Sequence, residues 1–244
     1  MSTTWKLIFN GVNFLSTASY NINLNVSDNF MATLKQHIVT LILMLAVTTS
    51  FGQKAKTNYL LAFKDSSSGQ ELWGFKTTTG EVAIKPKYEN VLGTDTLYNI
   101  AFVTLNYKWV VINKQDNIIL TPYIFDNGPD YLENGLFRFV EKSKIGFANS
   151  KGQKTIPAQF DFAFPFSEGL AAFSVGGKME KWDEEHSTWN GGLWGFINKK
   201  GQIVIKSKYT NAYNFDNGHC EVWTQDNKHI LIDKKGNTTK VLSK

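Results

Sequence analysis

Apolar residues in this chain fall into short runs separated by polar segments that close on glycine or asparagine. In Trp194-Gly195-Phe196-Ile197-Asn198, Lys199-Lys200-Gly201 and Gln202-Ile203-Val204-Ile205-Lys206, two β-prone runs flank a polar turn. That pattern predicts a hairpin in which Asn198 bonds back onto the turn and Gly201 takes the positive φ of a G1-type bulge. The same spacing recurs from Asn149 to Gly152 and from Asp233 to Gly236, while Thr77 leads the turn at Gly80. Where a turn glycine is missing stand Asp116 and Asn117, both tolerant of the left-handed region. No stretch after residue 53 sustains the i, i+3, i+4 spacing of an amphipathic helix, so the expectation is β throughout.

Alternation places Trp194 and Phe196 on one face of their strand and Gly195 and Ile197 on the other. The runs Val82-Ala83-Ile84 and Ile203-Val204-Ile205 are apolar without alternation and predict strands covered on both faces. Stacked neighbours are the expected cover, with each Trp ring over a small residue of the adjacent sheet and the following Gly permitting that approach. Val110, in a Gly position, shows the Gly is not obligatory.

The hairpins repeat. Trp73-Gly74-Phe75, Ile145-Gly146-Phe147 and Trp194-Gly195-Phe196 are followed at fixed offsets by Gly80, Gly152 and Gly201, then Ile84, Ile156 and Ile205, then Tyr88, Phe160 and Tyr209. Weaker copies start at Trp109 and His229, so the anchors are spaced 36, 36, 49 and 35 residues apart. The interval of 49 carries an insertion at 177–191, bracketed by Gly176-Gly177 and Gly191-Gly192. A further strand precedes each hairpin, at 59–63, 100–105, 136–140, 170–175 and 220–224, and the connections leave room for a short fourth strand near 88–91 and 209–212. The predicted fold is all-β: about five tandem antiparallel meander units. An open, twisted array is preferred to a closed five-bladed propeller, because no strand is exchanged between the chain ends to latch a ring.

These residues resemble the WG-repeat family, tandem β-repeats of bacterial secreted and surface proteins named for their Trp-Gly pair. The resemblance spans about residues 59–242 and is sharpest from 194 to 218, where the hairpin is followed by Lys-x-Tyr and Phe-x-x-Gly. It implies a β-repeat scaffold, assigns no catalytic residue, and carries no chemistry over. The second copy departs most, with Val110 and no turn glycine, and the fifth lacks its Trp, as a capping unit does.

Upstream of the repeats, Met31 precedes Lys35, the apolar run 38–47 and the small residues Ser50 and Gly52. That order predicts a signal peptide over 31–52 with cleavage before Gln53, and marks 1–30 as an upstream extension rather than native sequence. The run is too short to span ~30 Å of hydrocarbon, so no stable membrane span is expected after cleavage. The competing readings are a buried core segment or a weak anchor. Residues 53–244 then form one repeat domain, and removing Lys6, Lys35 and Asp28 from the totals leaves 24 positive and 20 negative residues.

Charge and chemistry narrow the function. Lys and Arg number 26 against 21 Asp and Glu, but Arg138 is the only arginine, which is not a nucleic-acid footprint. A lone Cys220 excludes a disulfide framework, and no residue pattern calls for a metal or another cofactor. His219 and His229 occupy strand positions and read as strand residues. No nucleophile elbow, P-loop or zinc helix is present, so a non-enzymatic protein is expected.

The insertion is the candidate binding site, with Trp182, Asp183, Glu184, Glu185, His186 and Trp189 as its binding residues. Two indoles beside a carboxylate cluster suit a sugar ring or a protein partner. The structural alternative is a solvated hairpin whose Trp residues cover a neighbouring unit. Glu184 and Glu185 also raise glycan hydrolysis as a third reading. The tip lysines Lys114, Lys151, Lys199, Lys200, Lys234 and Lys235 form either a seat for an anionic polymer or soluble turns. The expectation is an exported scaffold of the bacterial envelope binding an unidentified envelope protein, with a cell-wall glycan as the alternative ligand. The residues Trp73, Gly74, Gly80, Trp109, Gly146, Gly152, Trp194, Gly195 and Gly201 are assigned to the repeat itself.

Overall fold

The computed structural model describes residues 8–9, 12–13, 33, 36–38, 59–67, 69–93, 95–125, 127–181 and 187–243. The chain divides into two compact units, residues 1–56 and 57–244. In the first, β1 (Ile8–Phe9) pairs antiparallel with β2 (Val12–Asn13). Positions 33 and 36–38 are helical, and the rest of the expected signal segment, including its cleavage point, lies outside the described residues. No described helix is long and apolar enough to cross a membrane.

The second unit is a succession of five antiparallel sheets. The first holds β3 (Leu60–Asp65), β4 (Leu72–Lys76), β5 (Val82–Tyr88) and β6 (Thr96–Leu97) in the order β5-β4-β3-β6. The second is β7 (Ile100–Leu105), β8 (Lys108–Asn113) and β9 (Ile118–Leu120), followed by a ribbon of β10 (Ile124–Phe125) and β11 (Gly128–Pro129). The third is β12 (Leu136–Glu141), β13 (Lys144–Asn149) and β14 (Lys154–Phe160). The fourth starts with β15 (Phe162–Ala163) and β16 (Leu170–Val175), gives off the hairpin β17 (Lys178–Lys181) and β18 (Ser187–Asn190), then closes with β19 (Leu193–Asn198) and β20 (Ile203–Tyr209). The fifth is β21 (Asn211–Ala212), β22 (His219–Trp223), β23 (His229–Asp233) and β24 (Thr238–Ser243).

The turn chemistry is as expected. Asn198 Oδ1 accepts from the backbone N–H groups of Lys200 and Gln202 at 2.9 and 3.1 Å, and Gly201 has φ +77°. Asn149 and Asp233 do the same in their turns, and Asp116 takes φ +64° where the glycine is missing. The short fourth strand exists at 211–212, but it pairs forward. β21 joins β22 and β15 joins β16, so each connection supplies the edge of the next sheet. At 88–91 this shrinks to a single bridge between Val91 and Val103. The first sheet has no described predecessor, and β6 folds back to fill that edge, pairing Leu60 with Leu97.

Consecutive sheets stack face on face. Phe75, Ile84 and Tyr88 of the first meet Ala101, Val103 and Ile112 of the second. Val111 and Leu120 of the second meet Phe137, Phe139 and Ala148 of the third. A larger core joins the third, fourth and fifth. Turns add to the stacking: Gly201 packs against Ile156 and Gly236 against Ile205, each on the preceding sheet. Contacts of this kind run from each unit to the next, which is an open array.

Two packing expectations are corrected. The runs thought to be covered on both faces are covered on one: Ile84 and Ile205 are buried, whereas Val82 and Ile203 are 51% and 60% exposed at the sheet edge. The Trp194 ring also meets aromatic residues that feed its own sheet. It stacks on Phe164, with centroids 5.4 Å and planes 21° apart, and meets Phe162 edge-on, both from the strand and connection feeding its own sheet. The glycine after it serves its own hairpin rather than the approach of another sheet. Between the pairs Trp194↔Tyr209 and Phe196↔Ile205, β20 spends two extra residues, and the bulge presses its backbone onto Gly195. Val110 is tolerated because β9 ends at Leu120 and no bulge returns over it.

Candidate functional site

The insertion is a hairpin rooted on the fourth sheet, with β17 and β18 paired from Lys178↔Asn190 to Lys181↔Ser187. Its tip, Trp182, Asp183, Glu184, Glu185 and His186, lies outside the described residues. Trp189 is described and is folded back on the sheet. Its ring stacks on Phe162 at 5.2 Å and 17°, and its Nε1 donates to Ser174 Oγ at 3.1 Å. At the root, the Gly176 N–H donates to Asp161 Oδ2 at 2.8 Å. The Lys144 ammonium, then that N–H, hold the Asp161 carboxyl below its usual value. Along the hairpin, Asn190 Nδ2 donates to Glu180 Oε2 at 2.6 Å, and Asn190 followed by Lys178 lowers the Glu180 carboxyl likewise.

Register explains why aromatic rings gather here. Ser174 pairs with Phe162 on one side and Trp194 on the other, so a small residue sits between two large ones on one face of the sheet. The space above Ser174 is where Phe162, Trp194 and Trp189 meet. Trp194 is only 2% exposed, and burying an indole of ~150–250 Å² stabilises by roughly 4–6 kcal/mol at ~25 cal/mol per Å².

The fifth unit has His229 at the repeat Trp position, and its register partner is Trp223. The indole has moved one strand over. Its ring stacks on His229 at 4.1 Å and 8°, with Tyr213 edge-on at 5.4 Å, and His229 Nε2 lies 2.9 Å from Glu221 Oε2. Between this cluster and the insertion opens a cleft of about 270 Å³ lined by Trp189, Asn190, Trp194, Thr210, Asn211 and Trp223. Asn211 Oδ1 accepts from its neighbour Ala212 N–H at 2.9 Å, and Thr210 Oγ1 donates to Trp223 O at 3.3 Å. Three indoles, two carboxamides and a hydroxyl therefore converge, and among the described residues no charged side chain lines the cleft.

Of the six residues assigned to binding from the sequence, the structure places Trp189 at this cleft. Trp194, assigned to the repeat, also lines it. Asn190, Thr210, Asn211 and Trp223 were not foreseen. The available signal was Trp223 itself, an indole immediately before the copy that lacks one.

The tip lysines divide. Lys199 Nζ donates to Asn134 O at 3.1 Å, and Lys234 Nζ donates to Glu168 O and pairs with the Glu168 carboxylate, both at 3.0 Å. Asn134 and Glu168 also receive the Gly169 and Gly218 N–H groups of the following connections, at 3.2 and 2.9 Å. Lys234, then the Gly218 N–H, hold the Glu168 carboxyl below its usual value. These lysines clasp units together instead of forming an open cationic stripe. Cys220 is buried, its Sγ 3.0 Å from Tyr213 O, and burial pushes its thiol up to about 12, so it stays protonated at neutral pH. Among the described residues no group of His, Cys, Asp and Glu is placed to hold a metal ion.

A family model described as the WG containing repeat matches residues 73–109, 145–178 and 194–222. No curated protein matches the chain.

Proposed function

Because the chain belongs to the WG-containing repeat family, we propose that it is an exported, non-enzymatic binding protein of the bacterial envelope. Its stacked units act as a scaffold, and the cleft beside the 177–191 insertion is its ligand site. The observation that carries this reading is the insertion. It interrupts a regular repeat, yet its Trp189 is pinned by Phe162 and Ser174 at a concave surface lined by two further indoles. Titratable groups nearby are occupied by local contacts: His219 Nδ1 with Asn217 O, His229 with Glu221, Glu180 with Asn190 and Lys178. The partner is an envelope protein or a glycan.

Replacing 177–191 by a short glycine linker tests the site. Capture of envelope proteins or binding to a glycan array should be lost while far-UV circular dichroism and thermal unfolding stay close to those of the parent chain. Binding that survives the deletion intact rejects this location. Export is checked separately: N-terminal sequencing of the exported product should begin at Gln53. Recovery of a product that keeps 31–52 would reject the signal.

A further inference from the structure

We infer that the cleft between the insertion and the fifth unit takes an uncharged saccharide, held by Trp189, Trp223 and Asn211. This rests on the proposal that the cleft is a ligand site, and it adds the chemical class of the ligand.

The lining decides the class by its charge and its rings. Among the described residues no Lys, Arg, Asp or Glu lines the cleft, so there a phosphate, nucleotide or uronic acid would lose its hydration shell with no counter-charge in return. Trp189 and Trp223 are half-buried, and each has one ring face taken, by Phe162 and by His229. What these rings leave exposed is the smaller part of a mainly polar cleft surface; a pyranose, apolar on one C–H face and hydroxylated around its rim, meets both. The polar groups fit that rim. Asn190 and Asn211 each carry an amide, which both donates and accepts, as pairs of neighbouring hydroxyls do. Asn211 Oδ1 is held by the Ala212 N–H, which fixes the plane of the amide. Among the described residues none accepts a hydrogen bond from Asn211 Nδ2 or Trp223 Nε1.

A peptide fits less well. A helical peptide needs an aliphatic groove, whereas this cleft is lined by indole and amide side chains. Its size, about 270 Å³, lies below the ~300–1,000 Å³ of pockets that enclose whole ligands, which suits a short stretch of a longer chain.

The test uses the full chain and an array of uncharged gluco-, manno- and N-acetylglucosamine oligosaccharides, with hits titrated by tryptophan fluorescence and calorimetry. At least one such oligosaccharide should bind, with the same affinity at ~50 and ~500 mM salt because no charge pairs are made. Trp223→Ala should weaken it about tenfold or more, and Asn211→Ala about three- to tenfold, through a lost ring contact and a lost hydrogen bond. Tyr107→Ala, at an exposed turn of the second unit, should leave binding unchanged. Asn211→Ala removes no core contact, so it keeps the test valid even if Trp223→Ala unfolds. Array silence overturns the inference, as does binding confined to anionic glycans and abolished by salt, or binding that both variants retain. If saccharides fail while an envelope protein is captured in an insertion-dependent way, the ligand class is wrong and the site stands. If neither binds, both fall.

Discussion

Gly195→Ala is expected to destabilise the repeat domain by roughly 3 kcal/mol, a fall in melting temperature of about 6–12 °C for a domain of this size. A Cβ at this position would lie 2.5 Å from Ile205 O, 2.6 Å from Ser207 N and 2.9 Å from Lys206 C, all backbone atoms of the bulged partner strand. Backbone cannot rotate away as a side chain can, so the bulge must open, and Ile205 and Tyr209 leave the core with it. The comparison is Gly218→Ala. Gly218 has φ +79° and open space around it, so its cost is the left-handed penalty alone, about 1–2 kcal/mol. Urea unfolding of the two variants should separate them by that margin. Equal losses would mean that the Gly after Trp is chosen for backbone freedom and not for the strand pressed against it.

The same geometry shows which parts of the fold can be read from residues in order. Turns are local: Asn198, Gly201 and the two N–H groups between and beyond them lie within five residues, so the Asx-x-x-Gly spacing is enough to place the hairpins at 149–152, 198–201 and 233–236. Repetition then supplied the architecture. What the Trp-Gly pair packs against is not local. The extra residues of β20 are visible only as a register shift, and alternation alone counts Lys206, Ser207 and Lys208 as ordinary strand positions. Apolar content misled at Val82 and Ile203 for a related reason. They lie where the hairpin leaves the stacked face, and composition carries no information on where stacking ends.

The site was legible to a lesser degree. A broken period drew attention to 177–191, and Trp189 does reach the cleft. The opposite wall comes from Thr210, Asn211 and Trp223, brought there by the stacking of the fifth sheet on the fourth. Asn211 looks like any connection residue until β21 is seen to pair forward. Ser174 is equally silent in the sequence, yet its small side chain is what lets three aromatic rings converge and its Oγ fixes Trp189.

Arg138→Ala is expected to cost about 3–5 kcal/mol, the range for breaking a buried ion pair by removing one partner. The only arginine of the chain is 2% exposed and lies on the third sheet. Its Nε and Nη2 donate to the two oxygens of Asp130 at 2.5 and 2.6 Å, its Nη1 donates to Ala163 O of the fourth sheet at 2.8 Å, and its guanidinium lies 4.1 Å from the centre of the Tyr123 ring. Truncation leaves the Asp130 carboxylate buried without its counter-charge and Ala163 O without its donor. Lysine is no substitute, because a single ammonium cannot reproduce a planar fork that meets a carboxylate, a carbonyl and a ring together. The loss should also blur the urea transition, since stability in a stacked array is held in the contacts between neighbours and this one joins the third unit to the fourth. The decisive variant is the double replacement Arg138→Met with Asp130→Leu. It removes both charges at similar volume, and should recover most of what Arg138→Ala loses. If the double replacement is as unstable as the single one, the pair is not what matters, and the bond to Ala163 together with the Tyr123 stack carries the junction.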